Sequence, residues 1–253
     1  MDIYLSNIKK QSKRYEIDIK VDGETFSFKI SEDLLIEMMF FSTKPLKESE
    51  YKNFLNKLPL DSLVFEGERY IDKKIRSEKE IREHLYSLST SQSLVDEAIK
   101  RLKKKNLIDD VSYKAAYLEY AIYSRRDGRI KIANDLISLG LNQYFEYPID
   151  ALKDNINALS IKYAQKNHDV PYKTLINKMK IHLLGKGYTE TEIDKYMNVQ
   201  SVPKGNDDEL IKKDYRKLKE KYKDNVEKIK ISLQRKGYSL NTIEKMIRGM
   251  YNE

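Results

Sequence analysis

The residues of this chain with the greatest chemical potential are basic, and they are grouped. Lys100, Arg101, Lys103, Lys104 and Lys105 form one run, and Arg125, Arg126, Arg129 and Lys131 straddle Gly128 a little further on. Over residues 100–131, ten Lys and Arg are opposed only by Asp109, Asp110, Glu119 and Asp127. A second run, 212–223, carries seven Lys and Arg against Asp214 and Glu220. Clustered positive charge attracts phosphate backbones or acidic protein surfaces through long-range fields that salt screens. The competing reading is a solvated helix face, and cations at 100–105 also suit the negative end of a helix dipole.

Other chemistries have little support. His84, His168 and His182 are far apart and none has HxxxH or HExxH spacing. With no cysteine there is no thiolate or disulfide, and zinc would need several carboxylate ligands. Gly185-Lys186-Gly187 lacks the GxxxxGK frame of a phosphate loop. Asp109-Asp110 and Asp207-Asp208-Glu209 read as helix N-terminal caps rather than as acid/base pairs. Tyrosines interleaved with Lys and Arg can stack on bases, but Tyr113, Tyr117 and Tyr120 recur at helical spacing, which puts at least two in a core. No catalytic residue, metal or cofactor is expected, and the chain reads as a protein that acts by binding.

The elements that must position these charges are announced by a repeat. Met179, Leu183, Ile193 and Met197 return as Ile229, Leu233, Ile243 and Ile247 at an offset of 50, with Lys186-Gly187-Tyr188 returning as Lys236-Gly237-Tyr238. A worn copy lies 98 residues before the first, at Ile81, Leu85, Val95 and Ile99. Such an echo predicts an array of small helical modules, which presents an extended surface and seldom wraps a catalytic pocket. Gly187 and Gly237 are expected at positive φ, with Thr189 and Ser239 capping the next helices and Tyr188 and Tyr238 packed beneath the turns.

The N-terminus follows a different period. Ile3, Leu5 and Ile8, then Tyr15, Ile17, Ile19 and Val21, then Phe26, Phe28 and Ile30 read as strands, with Asp22-Gly23 as a two-residue hairpin turn. From Ser31 the pattern is helical. One helix carries Leu34 to Met39, a second Tyr51 to Leu58, and a third is capped by Asp61, although Gly67 argues against it. Ser77 and Glu80 form a capping box, and Gly140 a left-handed stop. The expected divisions are 1–30 (β-rich), helical modules at 31–75, 76–127, 128–170 and 171–200, and 201–253 (linker and C-terminal module). The 253 residues are 35% charged and 40% hydrophobic, with net charge +8. No apolar run is long enough to span a bilayer and the start lacks a signal-peptide pattern, so a soluble, cytoplasmic, monomeric protein without membrane contact is expected.

This order of residues resembles the RecX family of recombination regulators. The resemblance runs through Arg76-Ser77-Glu78-Lys79-Glu80-Ile81-Arg82 and Ala98-Ile99-Lys100-Arg101-Leu102-Lys103, then Leu107-Ile108-Asp109-Asp110 with Tyr113, Ala116 and Tyr117. It continues through Gly128-Arg129 and the two Lys-Gly-Tyr turns. The strand-rich N-terminus with its Asp-Gly hairpin is similar to that of longer Gram-positive members. Leu88-Ser89 stands where a Lys-Gly type turn is usual, and the stretch from Gln143 to Pro148 is atypical. The resemblance implies a mainly α fold, a curved tandem array of three-helix repeats with a small N-terminal antiparallel β-sheet. It implies a non-enzymatic regulator that binds the RecA recombinase and RecA–single-stranded DNA filaments, limits filament growth, and restrains recombinase and coprotease activity. The nine basic residues at 100–105 and 125–131 would then meet acidic recombinase surface or DNA phosphate. The alternative is a module of helix-turn-helix-like repeats that binds DNA directly.

Overall fold

The structure, a computed structural model, describes residues 1–202, 207–223 and 225–251. The fold is mainly α with a small N-terminal antiparallel sheet, and it divides into two compact units, Met1–Ala115 with Leu139–Leu141, and Ala116–Ser138 with Asn142–Glu253. The expected linker at 201–206 falls mostly on 203–206, outside the described residues.

In the first unit, β1 (Ile3–Gln11), β2 (Arg14–Val21), β3 (Glu24–Ile30) and β4 (Lys44–Pro45) form a sheet of order β3-β2-β1-β4. Asp22 and Gly23 both take positive φ, at 50° and 92°, the pair of angles a type I′ turn requires. The spacing Ile3, Leu5, Ile8 departs from strict alternation, and the β1–β2 register accordingly shifts between Leu5 and Asn7. That irregularity lets Leu5 and Ile8 oppose Ile19 and Ile17. Ile3, Leu5, Ile17, Ile19 and Ile30 are buried with Leu34 and Leu35 of α1 (Glu32–Glu37) and with Phe40 and Phe54. Ser31 caps α1, its Oγ accepting from the Leu34 N–H at 3.1 Å.

The region after Pro45 differs from the expected two helices. A single 26-residue helix, α2 (Glu48–Lys73), runs through Pro59. Asp61 does not cap a helix; it is buried within α2 and pairs with Arg14 at 2.6 Å while accepting from the Ser31 N–H at 3.1 Å and from the Ser31 hydroxyl. The sequence pattern took Asp61 for a helix start because a capping acid and an acid reaching another element look alike locally. Gly67 does not break α2 either. A Cβ there would stand 2.6 Å from Leu102 Cδ1, so the glycine lets α4 (Gln92–Lys104) approach closely. With α3 (Glu78–Tyr86) these helices bury Leu63, Val64, Ile81, Leu85, Val95, Ala98, Ile99 and Leu102. The Ser77/Glu80 capping box forms, and α5 (Asp110–Glu119) follows.

In the second unit a π-type turn (Tyr120–Ser124) leads to α6 (Arg129–Ser138), α7 (Ile149–Lys166), α8 (Tyr172–Gly185), α9 (Glu190–Tyr196), α10 (Asp207–Tyr222), α11 (Val226–Lys236) and α12 (Leu240–Tyr251). The repeat at offset 50 is a repeat of burial. Met179, Leu183, Tyr188, Ile193 and Met197 are core residues, and so are Ile229, Leu233, Tyr238, Ile243 and Ile247. Among the described residues no helix is long and apolar enough to cross a membrane.

Candidate interaction surface

The Lys-Gly-Tyr turns fix how successive helices of the second unit meet. Gly187 has φ 91°, and its neighbourhood is a backbone-to-backbone contact: the Gly128 N–H donates to the Lys186 carbonyl at 2.8 Å and the Ile130 N–H to the Gly187 carbonyl at 3.0 Å. A Cβ on Gly128 would lie 2.2 Å from the Gly187 carbonyl carbon, so only glycine permits the approach. Tyr188 is fully buried and donates its hydroxyl to the Arg126 carbonyl at 2.9 Å; burial drives its phenol pKa upward. The second turn repeats the device with a side chain. Gly237 has φ 104°, and Thr174 Oγ1 donates to the Lys236 carbonyl at 2.6 Å. The atypical stretch before Pro148 serves the first clasp, because buried Tyr147 donates to the Asp127 carbonyl at 3.1 Å and accepts from Asn155 Nδ2 at 3.0 Å.

This clasp accounts for most of the second basic cluster. Asp127 is 0% exposed, with Arg125 Nη2 at 2.5 Å, Lys131 Nζ at 3.0 Å and Lys186 Nζ at 3.4 Å. Arg125 also reaches Asp135 at 2.7 Å and the Tyr117 hydroxyl at 2.9 Å. Partial burial would raise the Asp135 pKa, but the Tyr117 and Arg125 hydrogen bonds outweigh it and hold the carboxyl below its usual range. Arg129 Nε pairs with Glu192 at 2.8 Å. Of the four, only Arg126 has no ion-pair partner among the described residues; it is half-buried at φ 53°. Replacing all four with alanine would not leave the fold intact, because Asp127 would be left buried with Lys186 alone.

The first cluster, in the other unit, is also largely spent on packing. Lys105 lies 2.6 Å from Asp33 and 2.8 Å from Glu68, and these two acids outweigh the effect of its partial burial and raise its pKa. Lys103 lies 2.6 Å from Glu78. Lys100 and Arg101 make long pairs with Glu97, at 3.7 and 3.8 Å, and Lys104 has no ion-pair partner among the described residues. Counting charge along the sequence sees the cations and misses Asp33, Glu68 and Glu78, which arrive from other elements.

The remaining polar candidates are structural. Asp109 accepts from the Val111 and Ser112 N–H groups at 3.0 and 3.1 Å, capping α5, whereas Asp110 accepts from the Glu78 N–H at 2.8 Å and caps α3. Asp207 does the same for α8 through the Tyr172 N–H at 3.1 Å. His84 stacks on Tyr70 at 4.1 Å and His182 packs on Tyr163 at 4.9 Å, so the histidines do not converge. Among the described residues no group of three His, Cys, Asp or Glu is placed to hold a metal.

The run at 212–223, noted in the sequence but not assigned there as a site, is arranged differently. On α10 Asp214 turns toward packing partners, taking Lys236 at 2.5 Å and the Tyr238 hydroxyl at 3.0 Å, while Asp208, Glu209 and Glu220 stay exposed. Lys212, Lys213, Arg216, Lys217 and Lys223 are exposed, and none has an ion-pair partner among the described residues. The signal available in sequence was the spacing of Lys212, Arg216 and Lys219, which fall on one helical face, with Lys223 just past its end.

No family model matches this chain. Curated relatives do, along most of its length. The regulatory protein RecX of Listeria monocytogenes serotype 4b (strain F2365) is 26% identical over 85% of this chain and 81% of its own. That of Oceanobacillus iheyensis is 24% identical over 97% of this chain and 90% of its own, and that of Streptococcus mutans serotype c is 27% identical over 86% and 87%. The chain is similar along most of its length to these regulatory proteins RecX. A crystal structure of a regulatory protein RecX superposes with a TM-score of 0.60 at 21% identity, covering 76% of this chain and 99% of that one, a likeness of fold. The clasps at Lys186-Gly187-Tyr188 and Lys236-Gly237-Tyr238 are thus scaffold, and among the clustered cations Lys100, Lys104 and the α10 face are turned to solvent, with Arg126 half-buried.

Proposed function

We propose that this chain regulates the RecA recombinase by binding it and its filaments on single-stranded DNA, limiting filament growth and thereby restraining strand exchange and coprotease activity. The observation that carries the reading is the breadth of similarity to regulatory proteins RecX, which extends over 85–97% of this chain in the three relatives named above. The physical picture supports it. Helical modules clasped through backbone hydrogen bonds form a firm scaffold, and a scaffold of repeats suits a partner that itself presents a large, repeated surface. Regulation in this reading is stoichiometric occupancy rather than catalysis. Lys100, Lys104 and Arg126, the members of the two basic clusters least committed to internal pairs, are the contacts assigned to the filament. Lys103, Lys105, Arg125, Arg129 and Lys131 hold the modules that present them.

The test is ATP hydrolysis by RecA on single-stranded DNA, titrated with this protein at physiological salt. Inhibition well below one molecule per recombinase is expected, because stopping growth at filament ends needs few molecules. Unchanged hydrolysis at equimolar protein would refute the reading.

A further inference from the structure

We infer that the outer face of α10, with the recess between α10 and α12, is a binding site for the phosphodiester backbone of nucleic acid, engaged without a recombinase. The inference goes beyond the regulatory reading and does not depend on it.

Four observations lead there. Lys212, Arg216 and Lys219 follow one another at four and three residues along α10, a single file about 10 Å long, and Lys223 stands just past the end of the helix at φ 48°. Exposed like charges on adjacent turns repel one another. In the clusters at 100–105 and 125–131 most such cations have been given acids: Asp127, Glu78, Glu68 and Asp33 each answer a basic residue. On α10 and just past its end that compensation is missing for Lys212, Arg216 and Lys223, while Asp214 is directed to Lys236 on α11. The face therefore retains its field for an external anion.

The second observation is the recess. Asp208, Ile211, Lys212 and Arg216 of α10 and Thr242, Lys245, Met246 and Gly249 of α12 line a shallow cavity of about 370 Å³. It continues along α10 into further depressions that share Arg216. Third, Gly249 is a glycine inside a helix with no packing reason to be one, since a Cβ there would meet nothing within 4 Å. Its effect is to keep the α12 wall low, where a backbone can approach. Fourth, among the described residues the face has no stacking platform. Tyr215 is buried in the core of the three helices and Tyr222 is only half exposed, so bases are not gripped. Cations in file, an open recess and no aromatic shelf favour the sugar-phosphate backbone, read without regard to sequence. An acidic protein surface would instead present discrete carboxylates, and it is the alternative the experiment must exclude.

The experiment measures binding of the full-length protein to fluorescein-labelled 30-base-pair duplex and 30-nucleotide single-stranded DNA from 50 to 300 mM salt, with no recombinase present. The test variant is K212A/R216A/K223A. The charge-matched control is K9A/K20A/K178A, three exposed lysines without ion-pair partners among the described residues. Each lost phosphate contact reduces the slope of log affinity against log salt by about 0.9 on duplex and about 0.7 on a single strand. The test variant should therefore lose about 2.7 on duplex, or about 2.1 on a single strand, with at least a tenfold weaker complex at 50 mM; the larger loss identifies the preferred form. G249L, which fills the recess while leaving every charge, should weaken binding at least threefold. Equal slopes for the test and control variants would overturn the inference. So would unchanged DNA binding accompanied by lost binding to DNA-free recombinase, which would assign the face to an acidic protein partner. A failed recombinase assay with intact α10-dependent DNA binding would count against the regulatory reading and leave this one standing.

Discussion

The backbone contact between Gly128 and the Gly187 turn makes Gly128→Ala the sharpest test of how the helices are joined. Gly128 does not have a positive φ, so alanine brings no intrinsic backbone strain, and the whole effect must come from the contact. The new Cβ would lie 2.2 Å from the Gly187 carbonyl carbon and 2.3 Å from the Tyr188 nitrogen. Ordinary contact begins near 3.4 Å, so the two backbones must part by about an ångström. Three hydrogen bonds span this gap: Gly128 N–H to Lys186 at 2.8 Å, Ile130 N–H to Gly187 at 3.0 Å, and Tyr188 hydroxyl to Arg126 at 2.9 Å. At about 1 kcal/mol each their loss comes to about 3 kcal/mol. For a protein of this size that is a fall of about 6–12 °C in melting temperature. Circular dichroism at 222 nm during thermal and urea unfolding reads it. Gly185→Ala is the companion: this glycine is helical and a Cβ there meets nothing within 4 Å, so alanine should stabilise by about 0.5–1 kcal/mol. A Gly128→Ala protein that melts within 2 °C of the parent would refute the backbone clasp.

Other expectations follow from the same geometry. At the second clasp, Gly237→Ala should cost about 2–3 kcal/mol, since it combines left-handed strain with a Cβ 2.0 Å from Thr174 Oγ1. In a Thr174→Ala background the penalty should shrink to about 1 kcal/mol, and a double-mutant cycle showing no coupling would contradict the contact. The variant R125A/R129A/K131A strips two of the three cations from Asp127 and breaks the Glu192 pair; it should destabilise by about 3–5 kcal/mol, whereas Arg126→Ala should stay within about 0.5 kcal/mol, both checked by urea unfolding. Partial burial works to raise the pKa values of Glu78 and Glu80, but Lys103 and Arg82 on the one, and the Ser77 N–H and Arg76 on the other, outweigh it and lower both. Depressed carboxyl pKa values stabilise the fold above the unfolded value, about 4.3, and that contribution is lost as pH falls through the depressed values. The melting temperature should therefore drop below about pH 5, and E78Q/E80Q should flatten that drop; an unchanged acid limb would contradict the assignment.

Much of the fold could be read from residue patterns because its determinants are local. Asp22-Gly23 specifies a turn by its own φ preferences, Ser77/Glu80 and Thr189/Glu192 are reciprocal caps three residues apart, and Gly187 and Gly237 mark left-handed stops. The misreadings have the opposite origin. Asp61 and Gly67 look like punctuation, but Arg14, Ser31 and Leu102, all remote in sequence, decide what they do. The same holds for the candidate site. A run of lysines announces charge, yet whether that charge is available depends on acids brought from elsewhere, which cancel most of the field at 100–105 and 125–131 and leave it along α10.

The most direct test of the central claim is equilibrium binding of this protein to RecA filaments assembled on single-stranded DNA with a non-hydrolysable ATP analogue, compared with the same DNA lacking RecA, at physiological salt. The account predicts saturable binding to the filament at least tenfold tighter than to the bare strand, together with slower filament extension when RecA is added in limiting amounts. Equal affinity for filament and bare DNA, with extension unaffected, would contradict it.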